Sequence, residues 1–580
     1  MDKERLKEQH SFINDFIFQL KTFVLTANRA VGNFIKPIPK FKIQSYVSTA
    51  TILSFSESEL WNPHDNKDNW ILTAGKIQNL RISSKKLNGL EIKANEVFSF
   101  WRHIGNPNYG KGYVIGREIR EGCIVPTIAG GLCQLSNALY DAALKANFEI
   151  IERHKHTKVI KGSLAEKDRD ATVKWNYIDL RFKSTCDFRI EIELTSNKLI
   201  VYFKGNQINE FQTEKQFKVS KANILNDCYS CGNIACYKHP KIDATKQNIA
   251  VSTFILDENW SEYDNYVQEI VGSSDYFILP FTKKIRVKTP RYNWKSANAK
   301  STKTTDLQSL YRALMLRFMS KTKNNIFELT LQLDKKIALA AVNKIPIQTT
   351  HIVVSQNLLP FLYESGALGG RTFDVLMTRL PFEKLHERLD LAFLNHSESP
   401  TLKDYRAKKE LVELENKALT QARFIVTPHT EIAEIFKNKV VKLNWHVPNS
   451  TNKQSTGKKI LFPASALGRK GAYELRKLAT EFPLKFVILG SSIEKNNFWG
   501  NIQIEEFNGD LNQIGFVIYP TYVENQPRQI LKAISKGIPI ITTKACGIAP
   551  CKQVKIIELN EFELWQKEVK NRVEGLIQEN

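Results

Sequence analysis

The sequence has no long hydrophobic run. No stretch of its 580 residues approaches the roughly 18 consecutive apolar residues that a membrane-spanning helix needs. Behind a charged start, the apolar side chains between Phe12 and Val24 fall on one face of a helix. This pattern predicts an amphipathic helix rather than the apolar region of a signal peptide. We therefore expect a cytoplasmic protein, in which the helix packs on its own domain or makes a peripheral contact at the inner membrane face.

Cysteine is also scarce, with eight residues in the whole chain. Since no export segment is predicted, we expect these cysteines to be reduced thiols. Signatures of DNA- or RNA-binding domains are missing, and the lysines are spread rather than clustered. The formal net charge of +23 is therefore interpreted as a general bias towards anionic substrates or lipid, or simply towards solubility. No nucleic-acid partner is expected.

The length is too great for one hydrophobic core, so several domains are predicted. From about residue 247 onwards, apolar strands alternate with helices, which predicts parallel sheets covered on both faces. Within this alternation the Lys- and Ser-rich stretch 295–303 is predicted to be a loop. The predicted domains are a helical segment at 1–74, an α+β domain at 75–215, a Cys/His connector at 216–246, and two Rossmann-like domains at 247–450 and 451–580.

Cys133 is the strongest candidate for a reactive side chain. It follows Gly130-Gly131 and precedes apolar residues at helical spacing, so it should lie on the first turn of a helix. Backbone N–H groups and the helix dipole lower the pKa of a thiol at that position. Together with His154, His156 and Asp170, Cys133 supplies the parts of an activated nucleophile. The sequence does not decide between the two histidines, and the alternative is a small apolar residue that packs at a tight helix start.

The motifs around Cys133 resemble, in order, those of the VanW family. They are Asn79-Leu-Arg, Phe98-Ser-Phe, the run Gly130-Gly-Leu-Cys-Gln-Leu-Ser-Asn-Ala-Leu-Tyr140, Glu152-Arg-His-Lys-His-Thr157 and Arg169-Asp-Ala-Thr-Val173. The resemblance covers about residues 75–205. The family is named after a protein encoded with vancomycin resistance, so the resemblance implies a connection with the cell envelope but no settled reaction. It implies a module that binds or modifies an envelope acceptor.

A compact cluster of metal-ligand residue types follows this domain. Cys228, Cys231, Cys236 and His239 have the spacing C-x2-C-x4-C-x2-H. Three thiolates and an imidazole on two short turns suit tetrahedral zinc or a thiolate-bound iron–sulfur centre. The alternative is a set of reduced cysteines or a disulfide pair. Because the cluster lies between predicted domains, a structural role is favoured over catalysis.

Two turns of the last domain carry residues suited to phosphates and sugars. Arg469-Lys470-Gly471 follows a predicted strand and opens a helix, where charge and backbone donors suit a diphosphate. Glu524, Asn525 and Gln526 follow the strand 515–519. Ligands of such sheets bind at the carboxyl ends of the strands, so both turns should face the same cleft.

These turns resemble those of GT-B glycosyltransferases of the retaining, group 1 type. The other segments that carry the resemblance are Leu411 to Glu415, Ala422 to Pro428 and Lys536 to Ile541. It covers about residues 247–580 and implies a nucleotide-sugar donor, with Glu524 in contact with the donor as a catalytic residue. The sequence departs from the family at two positions, because Lys532 stands at the second glutamate of its E-x7-E element and Ser465 where arginine is common.

The fold class predicted from both parts is α/β, a GT-B-like pair of Rossmann-like domains preceded by an α+β VanW-like domain. The predicted function is transfer of a sugar from a nucleotide sugar to a cell-envelope or peptidoglycan-related acceptor. One alternative is a non-catalytic binding protein in envelope assembly, because a fold does not fix a function. Another is a hydrolase or transferase that depends on Cys133.

Overall fold

The computed structural model comprises two compact units. The first unit contains residues 1–251 with 346–351 and 365–372, and the second contains the remainder of the chain. The described residues are 12–43, 51–61, 67–120, 123–156, 163–205, 226–227, 251–286, 288–319, 326–449, 457–482, 486–490 and 494–578. The finer domain boundaries given above stay predictions.

The first unit mixes helices with short, mostly antiparallel sheets. Its helices are α1 (Phe12–Ile35), α2 (Lys67–Leu87), α3 (Phe100–Ile104) and α4 (Leu132–Lys145). Its strands are β1 (Thr51–Glu59), β2 (Leu90–Ile92), β3 (Val97–Ser99), β4 (Ile115–Arg120), β5 (Cys123–Ile128), β6 (Glu149–Glu152), β7 (Arg181–Lys183), β8 (Phe188–Leu194), β9 (Lys198–Gly205) and β10 (Asn226–Asp227). They form a four-stranded sheet in the order β1-β9-β8-β2 and two three-stranded sheets, β10-β5-β4 and β3-β7-β6.

β1 lies in the segment that the sequence predicted as helix and connector. It pairs antiparallel with β9 over its whole length. Its inward side chains include Ser54 and Ser56, both buried, so the apolar alternation that announces a strand is weak here. The pairing with an apolar strand about 150 residues later in the chain therefore decides this element, rather than local pattern.

A close backbone approach fixes the start of α4. Gly131, which caps this helix, has φ +98, and a Cβ there would lie 2.1 Å from the Lys76 side chain. The Gly130 carbonyl accepts a hydrogen bond from the Asn79 amide at 3.0 Å. Only glycine fits such a position without displacing its neighbours. The glycine pair therefore sets where α4 begins, and with it the place of Cys133.

Most residues of a seven-stranded sheet belong to the second unit. Its strands are β11 (Val251–Ile255), β12 (Tyr276–Leu279), β13 (Ser301–Thr304), β14 (Thr349–Ser355), β15 (Thr372–Leu376), β16 (Phe424–Thr427) and β17 (Val440–Lys442), in the order β13-β12-β11-β14-β15-β16-β17. The helices are α5 (Ser261–Ile270), α6 (Lys283–Arg286), α7 (Asp306–Met319), α8 (Ile326–Val342), α9 (Leu359–Glu364), α10 (Phe382–Asn395), α11 (Lys409–Gln421) and α12 (Thr430–Ile435). The loop predicted at 295–303 is wrong at its end, because β13 pairs there with β12 and a polar sequence suffices for an edge strand.

A six-stranded sheet completes the second unit. Its strands are β18 (Lys459–Phe462), β19 (Phe486–Ile488), β20 (Ile504–Glu506), β21 (Ile514–Tyr519), β22 (Ile540–Thr542) and β23 (Val554–Ile556), in the order β20-β19-β18-β21-β22-β23. All its pairings are parallel. The helices are α13 (Ala472–Glu481), α14 (Arg528–Ser535) and α15 (Phe562–Gln578).

Both sheets of the second unit have the doubly wound strand order. In each sheet the first three strands run in order from the centre to one edge, and the later strands run in order from the centre to the other edge. The direction of strand addition therefore reverses between β11 and β14 and between β18 and β21. Such reversal points are where ligands of open α/β sheets bind. The predicted fold class, an α+β part followed by a GT-B-like pair of Rossmann-like sheets, is confirmed.

Helix α1 is held to the first unit by its polar side chains. Both terminal nitrogens of Arg29 donate to the Glu152 carboxylate, at 2.5 and 2.7 Å. Large apolar side chains of the same helix, such as Phe23 and Phe34, are exposed. Among the helices in the described ranges, none combines the length and the apolar character needed to cross a membrane.

Candidate functional site

Cys133 lies on the first turn of α4, in the position that the glycine pair sets. Its thiol is half-buried and faces the segment that follows Asp170, with Sγ 3.6 Å from the Thr172 hydroxyl and 3.7 Å from the Val173 carbonyl oxygen. The His156 side chain is also close enough to act electrostatically on this thiol. The sulfur atom therefore has polar partners, and the side chain also packs against the hydrophobic core of this unit.

Asp170 orients the His156 ring. The Nδ1 atom of His156 lies 2.6 Å from Asp170 Oδ1, and the backbone N–H of His156 donates to the other carboxylate oxygen. The aspartate side chain is almost fully buried and that of the histidine is 13% exposed. Because Nδ1 is engaged by the carboxylate, Nε2 is the ring nitrogen left for the thiol. The three side chains are arranged as a nucleophile, a base and an orienting group would be in an activated cysteine.

The pKa values of the pair move towards the charged forms. Burial alone raises the pKa of the Cys133 thiol, but the hydrogen bond and charge of His156 outweigh burial and lower it. Burial lowers the pKa of His156, but the Asp170 carboxylate and the Cys133 sulfur together raise it to about 10. At neutral pH the arrangement therefore favours a thiolate beside an imidazolium, which is the reactive form of a cysteine.

Side chains of α4 hold the aspartate segment against the cysteine. The Asn137 side-chain oxygen accepts from the backbone N–H of Ala171 at 2.7 Å, and the Ser136 hydroxyl donates to the Ala171 carbonyl at 2.5 Å. Ser136 and Asn137 are both buried. Sequence reasoning missed their positioning role. Their spacing was the available signal, because Ser136 and Asn137 lie three and four residues after Cys133, and a helix places residues at these spacings on the same face as Cys133.

The structure separates the two candidate histidines. The ring of His154 is 47% exposed and its Nε2 lies 3.3 Å from a Glu152 oxygen. Its backbone carbonyl accepts a hydrogen bond from the Thr172 N–H, so His154 contacts this segment through its main chain. Of the two, only His156 is brought to Cys133 and Asp170.

The predicted metal ligands Cys228, Cys231, Cys236 and His239 lie outside the described residues. Within the ranges that the structure does describe, no group of three or more His, Cys, Asp or Glu side chains could hold a metal ion.

The second unit brings Lys470 and Glu524 together at the reversal point of its six-stranded sheet. Lys470 follows β18 and Glu524 follows β21, which are neighbouring strands. The Lys470 Nζ atom lies 2.9 Å from Glu524 Oε2 and 2.9 Å from the Val523 carbonyl oxygen. The two side chains thus meet although they are 54 residues apart in the sequence. Gly471 allows it, because a Cβ at this φ of +84 would lie 1.9 Å from the Pro520 carbonyl oxygen.

The Glu524 carboxylate is fully engaged by this unit. Besides Lys470, it accepts from the Tyr519 hydroxyl and from the backbone N–H groups of Asn525 and Gln526. Burial raises the pKa of Glu524, but the Lys470 ammonium and the Tyr519 hydroxyl more than compensate and hold it below the usual range. The Asn525 and Gln526 side chains themselves are exposed.

The backbone donors expected at the basic turn are engaged within the protein. The N–H groups of Lys470 and Gly471 donate to the carbonyls of Leu467 and Gly468, both at 2.9 Å. The Arg469 guanidinium lies 4.6 Å from the centre of the Tyr405 ring. In this structure, side-chain charge is therefore what the turn offers to a ligand.

A second buried charge cluster occupies the reversal point of the seven-stranded sheet. Asp257 follows β11 and accepts from Arg312 at 2.8 Å and from Asn357 at 2.7 Å. The same guanidinium donates to Asp334 at 2.7 Å, and burial raises the pKa of Asp334 to about 6. Sequence reasoning missed this cluster; an aspartate directly after a buried strand was its signal.

Comparisons with known proteins identify the first part of the chain. Residues 75–204 match the family model described as "VanW like protein", so this segment is a VanW-like domain. Vancomycin B-type resistance protein VanW of Enterococcus faecalis is 29% identical over 209 residues, which are 35% of this chain and 72% of that protein. Uncharacterized protein YoaR of Bacillus subtilis is 28% identical over 149 residues, 25% of this chain and 47% of the relative.

Several solved structures resemble larger parts of the chain, at low sequence identity. The lipopolysaccharide outer core galactosyltransferase WaaB in its apo form is 12% identical with a TM-score of 0.31, covering 56% of this chain and 90% of that one. LpCGTa in complex with UDP is 10% identical with a TM-score of 0.32, covering 56% and 94%. TarM is 11% identical with a TM-score of 0.32; the match covers 43% of this chain and about half, 52%, of TarM.

Proposed function

We propose that the second unit is a glycosyltransferase that uses a nucleotide sugar and acts on a cell-envelope or peptidoglycan-related acceptor. One observation carries the proposal: a cation–carboxylate pair, Lys470 and Glu524, lies at the reversal point of a doubly wound parallel sheet. That is the place where such sheets bind nucleotides. The envelope acceptor rests on the VanW-like domain, whose relative is named for vancomycin resistance.

The contacts of the pair suggest how a donor would bind. A diphosphate carries two negative charges and competes with Glu524 for the Lys470 ammonium, while Arg469 adds charge from the preceding position. Release from Lys470 would leave Glu524 with the Tyr519 hydroxyl and its two backbone donors, held at the end of the loop. In that position its carboxylate is placed to contact the sugar, as the GT-B resemblance implies.

The experiment is a thermal-shift panel of nucleotide sugars, followed by a transfer or donor-hydrolysis assay with the donor that binds. Lys470→Ala should weaken binding of the nucleoside diphosphate about ten- to hundredfold, the effect of one charged hydrogen bond. Lys567→Ala removes an exposed lysine from α15 and serves as the matched control.

The outcomes separate the competing interpretations. Equal binding by both lysine variants would place the donor site elsewhere. Binding without turnover would support the non-catalytic envelope-assembly protein instead. If no nucleotide binds the parent protein, the glycosyltransferase proposal fails.

A second function is favoured by the Cys133–His156–Asp170 arrangement in the VanW-like domain. In a thiol-dependent hydrolase or transferase, the Cys133 thiolate would attack an acyl carbonyl, and the imidazolium of His156 would protonate the leaving amine or alcohol. Water, or an acceptor nucleophile, would then lose a proton to His156 and attack the thioester, which releases the thiolate again. Asp170 keeps the ring oriented through both steps.

Labelling tests this second function directly. Cys133 should react with iodoacetamide faster than Cys186, a half-buried cysteine whose sulfur contacts the Ser184 hydroxyl at 3.3 Å. An ester or thioester probe should then form an adduct with the parent protein and none with Cys133→Ser. Equal labelling of the two cysteines would make Cys133 a packing residue.

A further inference from the structure

The first unit contains a cavity of about 260 Å³ that none of the sites above uses. Helix α1 contributes Arg29 and Asn33 to its wall, α3 contributes Trp101 and Arg102, and the segment 175–181 contributes most of the other lining residues. The volume lies just below the range typical of drug-sized pockets. It therefore suits a ligand no larger than one sugar or one amino-acid residue.

The polar groups of the cavity are mainly donors. Asp179 also lines it, but its carboxylate is consumed by the Ser99 hydroxyl at 2.6 Å, the Trp101 N–H at 3.2 Å and Arg181 at 2.9 Å. The Leu180 N–H is a fourth donor at 3.0 Å, so the carboxylate has little accepting capacity left for a ligand. The acidic residue of the wall thus supports the cavity instead of repelling an anion.

The arginines of the cavity wall differ in whether their positive charge is neutralised. Arg29 is held by both oxygens of Glu152, and Arg181 is paired with Asp179. Arg102 is exposed, and in the part of the chain that the structure describes its guanidinium has no hydrogen-bond or ion-pair partner. One cationic fork is therefore available to a ligand, and it offers the paired donors that match a carboxylate.

Two tryptophans form the apolar part of the wall. The rings of Trp101 and Trp175 meet edge to face, with centroids 5.5 Å apart at 87°. The indole N–H of Trp101 is already donated to the Ile178 carbonyl at 2.8 Å, so this ring presents apolar surface. Such a corner packs well against the C–H face of a sugar or an aliphatic side chain.

We propose that this cavity binds a compact ligand with a single carboxylate, of the size of an acidic monosaccharide or an amino-acid residue. Arg102 binds the carboxylate, and the tryptophan corner packs against the carbon skeleton. A carboxylate is favoured over a phosphate because the cavity offers one unpaired guanidinium for one negative charge. The proposal is independent of the glycosyltransferase and thiol functions.

Isothermal titration calorimetry of the full chain with paired ligands tests the proposal. N-acetylmuramate and N-acetylglucosamine differ by a lactyl carboxylate, and glucuronate and glucose by the oxidation of one carbon. At least one acid should bind, about tenfold or more tightly than its neutral partner, because a charged hydrogen bond changes affinity by that factor. Inorganic phosphate should bind more weakly than this acid.

Arg102→Gln should weaken binding of the acid about ten- to hundredfold and leave the neutral sugar unchanged. The variant should fold, since the side chain it alters is exposed. Lys85→Gln, which removes an exposed charge from α2 outside the cavity, is the matched control and should bind like the parent. Failure of every acid to bind, equal affinity for acid and neutral sugar, tighter binding of phosphate, or an unchanged Arg102→Gln variant would each overturn the proposal.

Discussion

The candidate sites of the two units use charge in opposite ways. In the first unit, Asp170 and His156 direct their charge onto a single reactive atom, the sulfur of Cys133. In the second unit, Lys470 and Glu524 satisfy each other, and the carboxylate has further donors besides. In the functions proposed above, the first arrangement would react directly with an electrophile, whereas the second would exchange an internal ion pair for a ligand.

The largest effect should come from removing the base of the first site. His156→Ala should slow alkylation of Cys133 at pH 7 about a hundredfold, because the half-buried thiol loses the partner that lowers its pKa and becomes almost wholly protonated. Rates of iodoacetamide labelling, followed by mass spectrometry, measure this effect. His154→Ala is the matched control and should label like the parent; equal slowing in both variants would contradict the separation of the two histidines.

A buried histidine beside the second site should make the stability of the second unit sensitive to acid. His429 is buried, donates to the Glu524 carbonyl at 3.0 Å and accepts from the Ile432 N–H. Burial lowers the pKa of His429 from 6.5 to about 4, because the folded protein favours the neutral ring. The contribution of the neutral ring to the free energy of unfolding is therefore fully present above pH 6.5 and is lost as the pH falls towards 4. Between pH 7 and 5 the free energy of unfolding decreases by about 2 kcal/mol for this reason.

His429→Asn should remove most of this loss, because asparagine keeps a helix-capping oxygen but does not titrate. Thermal unfolding at pH 7 and 5 measures the difference between the variant and the parent. His154→Asn, at an exposed histidine, should keep the acid sensitivity of the parent. An unchanged pH dependence in His429→Asn would show that His429 is not the group responsible.

Breaking the ion pair from its acidic side should separate binding from transfer. Glu524→Gln removes the competitor for Lys470, so we expect nucleoside diphosphate to bind at least as tightly as to the parent. Transfer should nevertheless fall about tenfold or more if the carboxylate acts in the transition state. Calorimetry and a transfer assay measure the two quantities, and weaker binding with normal turnover of bound donor would contradict these roles.

The smallest effect concerns the pH profile of the first site. His156 lowers the pKa of Cys133, and its own pKa is raised to about 10. The thiolate of Cys133 therefore persists when the pH falls below the pKa of an ordinary thiol, and it is lost only at the lowered pKa of Cys133. The labelling rate of the parent should thus change less between pH 9 and 7 than that of His156→Ala. Parallel profiles would show that no ion pair forms.

Local pattern determined much of this protein. The glycine pair and the helical spacing after it predicted where Cys133 would lie, and strand–helix alternation predicted parallel sheets in the second half. The motifs around Cys133 indicated the VanW-like domain that the family comparison confirms. These features could be found because each depends on residues that are neighbours in the chain.

Tertiary structure decided what depends on distant pairing. The serine-rich β1 becomes a strand only because β9 lies beside it. His156 rather than His154 is brought to the thiol because Asp170 engages the His156 ring, whereas the segment after it engages only the main chain of His154. Lys470 meets Glu524 because the sheet order makes β18 and β21 neighbours. Sequence periodicity places a side chain on one face of its own element, but only the packing of that element selects the partner it meets.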